Sequence, residues 1–351
     1  MSTPSAPPLK TVSRVATPHA LSHSVDTLDD TVRALIRQAR SAKTQRAYAW
    51  QWARFLAFCQ DFSLDPLRDH GQHAELAVAR YLAHCALQKL SVATMAQALA
   101  ALREGFAAAG LPSIRESAHV RETWRGIKRT HGTPANQARP LSITDLRSMA
   151  RALDRVCVLS QRNPTRESLI AELRALRDRA ILVVGFAGAL RRSELVALQV
   201  EDIAFEPHGV VLTLRRSKTD KEGRGASIGL PMGSDKDTCP VRCLRAWLTL
   251  ADRSTGPLFV AIDRHGNQRG MLHGHDVCRV LKRAAKRADV SCERLSGHSL
   301  RSGLATSAAR VGKSDRAIML QGRWKSRTMV DRYVRDAGLL EDDNAASGIG
   351  L

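Results

Sequence analysis

From His131 to Pro140 the chain reads His-Gly-Thr-Pro-Ala-Asn-Gln-Ala-Arg-Pro, with two prolines and no apolar period. Each proline lacks a backbone donor and restricts the residue before it, so no helix or central strand continues through this stretch. It is a linker by composition, and it interrupts a chain of 351 residues, too long for one ordinary core. Two domains are therefore expected, residues 26–130 ahead of the linker at 131–140 and residues 141–337 behind it. A flexible joint would let the two close as a clamp around an elongated ligand.

Residues 1–25 are rich in Pro, Ser, Thr and Ala, carry Lys10 and Arg14, and hold no acid, which predicts a disordered basic tail. The first domain then reads as helices. Val32, Leu35 and Ile36 begin one apolar stripe, Tyr48, Trp52, Phe55 and Leu56 a second, and Val78, Tyr81 and Leu82 a third. A further helix from Ser91 to Ala109 carries Met95, Leu99 and Leu102 on one side and is closed by Gly110-Leu111-Pro112. Behind the linker, Ser142 or Thr144 caps a helix running into Met149 and Leu153, and Arg177 to Leu190 reads as a buried helix. Past Asp202 the period changes to two. Gly209 to Leu214 predicts a strand, Lys218 to Gly225 an exposed turn, and Ala226 to Leu230 the returning strand. A helix through Trp247 and Leu250, a short buried strand or turn at Gly256 to Val260, and a helix from Asp276 to Ala288 complete a mainly α (α+β) reading with one small antiparallel sheet.

Lys and Arg number 54 against 34 Asp and Glu, a net charge of +20 spread along the chain, which implies a polyanionic partner. Aromatic residues are only 4%, too few for the stacking platforms that hold single strands, so duplex DNA fits better. The seven cysteines are scattered without zinc spacing and read as reduced core residues, and His273 with His275 lacks the further ligands of a metal site. The N-terminus has no apolar core of a signal peptide, and the longest apolar run, Ala180 to Leu190, is too short to span a bilayer. A cytoplasmic protein is expected.

The densest chemistry lies between Leu295 and Arg335. His298 and Arg301 are three apart, one face of a helix, where an imidazole and a guanidinium can converge on one small anion such as phosphate. Tyr333 supplies an oxygen nucleophile; the other tyrosines, Tyr48 and Tyr81, both lie in the first quarter of the chain.

Ser296-Gly297-His298-Ser299-Leu300-Arg301, then Gly322-Arg323-Trp324, then Val330 to Asp336 with Tyr333 at its centre, resemble the C-terminal active-site pattern of the tyrosine recombinase (integrase) family. Ala189 to Leu195 is similar to its first arginine box and Arg216-Ser217-Lys218-Thr219 to its lysine hairpin. Trp324 stands where the family more often has histidine, which narrows the resemblance. It extends over nearly the whole chain after the first 25 residues.

The resemblance implies a site-specific recombinase that cleaves and rejoins duplex DNA through a 3'-phosphotyrosyl intermediate in integration, excision or resolution. It implies Tyr333 as nucleophile, Arg191 and Arg301 as clamps on the nonbridging oxygens, His298 as base or hydrogen-bonding aid, Lys218 as acid, and Trp324 as an indole donor that also packs the nucleophile. Glu194 would hold Arg191. No cofactor or metal is implied. The first domain resembles the family's helical core-binding domain, with Lys43, Thr44, Arg46, Thr94 and Gln97 on its DNA faces, where any one of them either contacts DNA or is simply solvated. The partners implied are duplex DNA with inverted half-sites and further copies of the chain, a tetramer on paired sites, with the tail at 338–351 and its Leu339 and Leu340 contacting a neighbour. A type IB topoisomerase-like strand transferase and a non-catalytic DNA-binding regulator are the competing readings.

Overall fold

The computed structural model describes residues 24–67, 73–114, 116–132, 137–215, 225–331 and 333. The chain separates into two compact units, Met1–Ala135 and Asn136–Leu351. It is mostly helical with small antiparallel sheets.

The first unit contains α1 (Val25–Gln38), α2 (Ala42–Asp61), α3 (Ala74–Leu87), α4 (Val92–Ala108) and α5 (Ala118–Thr130). Serine caps start four of these helices. Ser24, Ser41, Ser91 and Ser117 each accept from the backbone N–H three residues on, which satisfies an otherwise orphaned donor and contributes about 1 kcal/mol apiece. Helix α2 packs on α4 and α3 on α5. Between them Phe55, Tyr81 and Phe106 meet edge to face, with Phe55 5.4 Å from Tyr81 and 5.8 Å from Phe106 between ring centroids. Leu82, Met95 and Leu102 fill the rest of this core. The stripe on α1 behaves differently. Val32, Leu35 and Ile36 are 51%, 61% and 64% exposed, so amphipathic spacing made a helix here without supplying a partner for its apolar side.

The second unit is built on α7 (Arg166–Ala187), which follows α6 (Ile143–Arg162). Residues from Ala175 to Phe186 of α7 are buried all round, because α6 covers one side while α9 (Pro240–Ala251), α10 (Gly274–Arg287) and α11 (His298–Arg310) cover the others. Full burial of Ile181, Leu182, Val183, Val184 and Phe186 stabilises the unit by about 1.5–3 kcal/mol per side chain before entropy is counted. Ser142 caps α6 by accepting from Asp145 N–H at 2.9 Å. The end of the linker is also anchored: Arg139 N–H donates to the Arg294 carbonyl, and its guanidinium pairs with Asp145 at 2.9 Å.

The expected strands appear as β2 (Gly209–Leu214) and β3 (Ala226–Pro231), antiparallel with Leu212 opposite Ile228. An additional strand, β1 (Ile203–Glu206), pairs with β2, and a second small sheet joins β4 (Val260–Ile262) to β5 (Gln268–Met271). The inner end of β1 alone is partly covered and Phe205 is exposed, so β1 lacks the alternation that reveals a half-buried strand. Helices α8 (Arg192–Ala197) and α12 (Asp315–Gly322) are short and flank the site described next. No described helix is long and apolar enough to cross a membrane.

Candidate functional site

The buried helix α7 must end somewhere, and its end makes the first wall of the site. Gly188 caps it, Ala189 turns into the left-handed region at φ 44°, and Leu190 N–H returns to the Gly185 carbonyl. This tight reversal leaves the Gly188 and Ala189 carbonyls pointing away from the helix with free acceptor capacity. Arg191 then precedes α8, and Glu194 reaches back to accept from its backbone N–H at 2.9 Å and from its Nη1 at 2.5 Å. Glu194 is almost fully buried. Arg192, the neighbour most easily confused with Arg191, lays its aliphatic stem against Gly297.

The second wall is α11. His298 opens it, and Arg301, one turn further, is 2% exposed and donates from Nη1 to the Ala189 carbonyl at 2.6 Å. Its guanidinium carbon stands 4.2 Å from the centre of the Trp324 ring, a desolvated cation–π contact. Arg301 Nη2 is buried and has no hydrogen-bond partner among the described residues. Burial, with the charges of Arg191 and Arg323 beside it, lowers the Arg301 pKa to about 10, so the group stays protonated at neutral pH but at an electrostatic cost. A donor held that way favours an anion.

The third wall follows α12. Gly322 ends the helix where a Cβ would lie 1.7 Å from the Trp324 ring, so glycine is what lets the indole fold back. Arg323 adopts φ 54° and ψ 44°, also left-handed. Its Nη1 donates to the carbonyls of Gly188 at 3.1 Å and Gln321 at 2.8 Å; its Nη2 donates to the Ala189 carbonyl at 3.2 Å and to Glu194 Oε2 at 2.9 Å. Trp324 packs on Tyr333 with ring centres 5.6 Å apart, and together with Ala189, Ala305, Ile318 and Val330 they form a small apolar cluster. Tyr333 is 8% exposed, and its hydroxyl lies 2.9 Å from His298 Nε2. Burial alone would raise the Glu194 carboxyl, but the two bonds from Arg191 and the charge of Arg323 outweigh it and hold it below the ordinary glutamate range.

Arg191, Glu194, His298, Arg301, Trp324 and Tyr333 thus converge, and Arg323, to which the Gly322-Arg323-Trp324 pattern assigns no role, joins them. Lys218 lies outside the described residues, as does the tail at 338–351. The surface candidates belong to the first unit. Lys43 and Arg46 are exposed on α2 and Gln97 on α4. Thr44 and Thr94 are half-buried, and their hydroxyls sit 2.9 Å and 2.8 Å from Ser41 Oγ and Ser91 Oγ in the helix caps. The sequence predicts the helix α10, but its basic face is not among the expected sites: it exposes Arg279, Lys282, Arg283, Lys286 and Arg287 while burying Val277, Val280 and Leu281. Its cations at helical spacing were the available signal. Three guanidinium groups and one carboxylate leave the pocket with a surplus of positive charge, and a tyrosine hydroxyl bonded to an imidazole stands at its edge. Such a group can hold a phosphodiester and manage one proton near it.

Residues 164–338 match the model of the phage integrase family. Over 312 residues the chain is 31% identical to an integrase/recombinase XerD homolog of Selenomonas ruminantium, covering 88% of this chain and 86% of that one. It is 26% identical over 282 residues to the Cre recombinase of Escherichia phage P1, covering 74% and 75%. Trp324 by itself suggests Cre, yet over the whole chain Cre is the more distant of these two relatives. The fold is similar to that of a lambda integrase (75–356) dimer bound to a COC' core site, with a TM-score of 0.54, 19% identity, and coverage of 89% and 95%.

Proposed function

The chain belongs to the phage integrase family, the tyrosine recombinases, and on that premise we propose that it cleaves and rejoins duplex DNA at specific sites by transferring a phosphodiester to Tyr333. The single observation that carries this reading is the 2.9 Å approach of the Tyr333 hydroxyl to His298 Nε2 beside a buried, incompletely bonded Arg301. A free tyrosine titrates at about 10, so a hydrogen-bond acceptor must assist its deprotonation at neutral pH. In this reading His298 is that acceptor, supported by its 2.9 Å distance from the hydroxyl. Attack by the Tyr333 oxygen on phosphorus forms a 3'-phosphotyrosyl ester and releases the 5'-oxygen, which takes a proton; the reverse attack by a 5'-hydroxyl rejoins a strand. Arg191 and Arg301 hold the nonbridging oxygens as negative charge grows on them. By resemblance, Lys218 gives the proton to the leaving oxygen. Trp324 packs Tyr333 and shields Arg301 from water, and its indole N–H is a donor for the phosphate.

The residues 26–130 serve as a DNA-binding domain and 141–337 as the catalytic domain, closing on a duplex as a clamp. Support comes from the net charge of +20 and from the cations of α10 and of Lys43 and Arg46. Inverted half-sites, assembly as a tetramer on paired sites, and a neighbour contact by Leu339 and Leu340 complete the proposal.

Selection of binding sites from a random duplex pool, followed by reaction of plasmids bearing one or two copies, tests it. Inverted half-sites and strand exchange that needs two copies are expected. Relaxation of single-site plasmids without exchange would favour a topoisomerase-like enzyme, and binding without cleavage a regulator.

A further inference from the structure

We propose that Arg323 is a positioning residue for strand cleavage, whose work is to take up the charge of Glu194 so that Arg191 and Arg301 both remain available to the phosphate. The inference rests on the transfer mechanism proposed above. Three observations carry it. First, Arg323 occupies the left-handed region at φ 54°, which is costly for any residue with a Cβ and which glycine would occupy freely. Strain of this kind persists only where the surroundings overdetermine it. Second, the side chain is largely covered, 12% exposed, with Nη1 bonded to the Gly188 carbonyl past the end of α7 and Nη2 to the Ala189 carbonyl and to Glu194. It holds the same Ala189 carbonyl that Arg301 holds, so one backbone oxygen sets the spacing of the two guanidinium groups. Third, the charges do not balance without it. Arg191, Arg301 and Arg323 face one carboxylate, Glu194, which Arg191 and Arg323 share. The surplus of two positive charges matches a phosphodiester that gains a second negative charge as the nucleophile adds. If Arg323 is removed, Glu194 is left to Arg191 alone, and the surplus falls to one.

The terminal nitrogens of Arg323 are engaged by the carbonyls of Gly188, Ala189 and Gln321 and by the Glu194 carboxylate. Arg323 acts through Glu194 and the Ala189 carbonyl. A purely structural cap would be served better by glycine, and this difference makes the proposal testable.

The experiment uses the full chain and a nicked duplex carrying its selected site, which traps the covalent adduct, with half-site affinity measured in parallel. Arg323→Gly relieves the backbone strain and should fold and bind DNA as the wild type does, while adduct formation slows by about a hundredfold, the scale of losing one charge-stabilising donor. Arg323→Lys keeps the charge in an equally strained backbone and should be faster than Arg323→Gly. Adding Glu194→Gln to Arg323→Gly removes the carboxylate left uncompensated and should recover about tenfold, the coupling typical of residues in direct contact. Wild-type rates in Arg323→Gly, or a double variant slower than Arg323→Gly, would overturn the inference while leaving Tyr333 chemistry intact. Absence of any Tyr333 adduct in the wild type would instead remove the mechanism on which the inference stands.

Discussion

In the first unit Lys43, Arg46 and Gln97 stand in solvent on helices whose inner faces carry the aromatic core, whereas in the second Glu194 and Arg301 are buried, the largely covered Arg323 pairs with Glu194, and the two arginines share the Ala189 carbonyl. The two arrangements follow different physics. A surface cation keeps its hydration, gains little from any single neighbour, and can be exchanged for another at small cost. A buried charge without its partner is penalised by several kcal/mol, so each member of the second group fixes the type and place of the others. The first unit is thus built to tolerate variation in its polar face, and the second to forbid it.

The largest effect on stability is expected at Glu194. Glu194→Ala leaves Arg191 and Arg323 facing Arg301 with no carboxylate between them, and the protein should lose about 3–5 kcal/mol in chemical denaturation. The same group has a pH signature. Its carboxyl is held below the ordinary range in the fold, so its contribution is present above the unfolded glutamate value and is lost as pH falls through the lowered folded value. Acid unfolding of the wild type should therefore show a component that Glu194→Gln lacks; identical acid profiles would remove Glu194 from the account of the second unit.

Arg301→Ala comes next. Loss of a preorganised donor should slow adduct formation by about 10²–10³-fold with DNA affinity little changed. A variant that cleaves normally would show the buried arginine to be structural, and the contrast between the two units would then concern stability alone.

How much of this contrast was legible beforehand depends on the same physics. The pair His298 and Arg301 could be read because spacing on one helix brings them together locally, and the box from Ala189 to Leu195 through its resemblance to the family's first arginine box. Arg323 could not, since its role depends on a left-handed twist that no residue type at that place announces. Strand β1 escaped notice because it is mostly exposed, and the stripe of α1 promised burial that no described neighbour supplies. Helix α10 was read as a helix but not as a basic face, because its cations were weighed along the chain and not around the axis.

The smallest effects belong to the first unit. Lys43→Ala should weaken binding about equally on all sequences and reduce the slope of log affinity against log salt by about one, as for one lost phosphate contact. Gln97→Ala should instead relax preference at one base position by about 1–3 kcal/mol if its amide reads an adenine edge. Unchanged salt slope and unchanged preference would show that α2 and α4 face solvent in the complex.

The central claim is that Tyr333 is the atom donor of the covalent link, and peptide mapping of the trapped adduct tests it most directly. The wild-type protein, captured on a nicked site and digested, should carry a 3'-phosphotyrosyl nucleotide on the peptide containing Tyr333, and Tyr333→Phe should bind the same DNA with no adduct at all. An adduct on any other residue, or one that persists in Tyr333→Phe, would contradict the account.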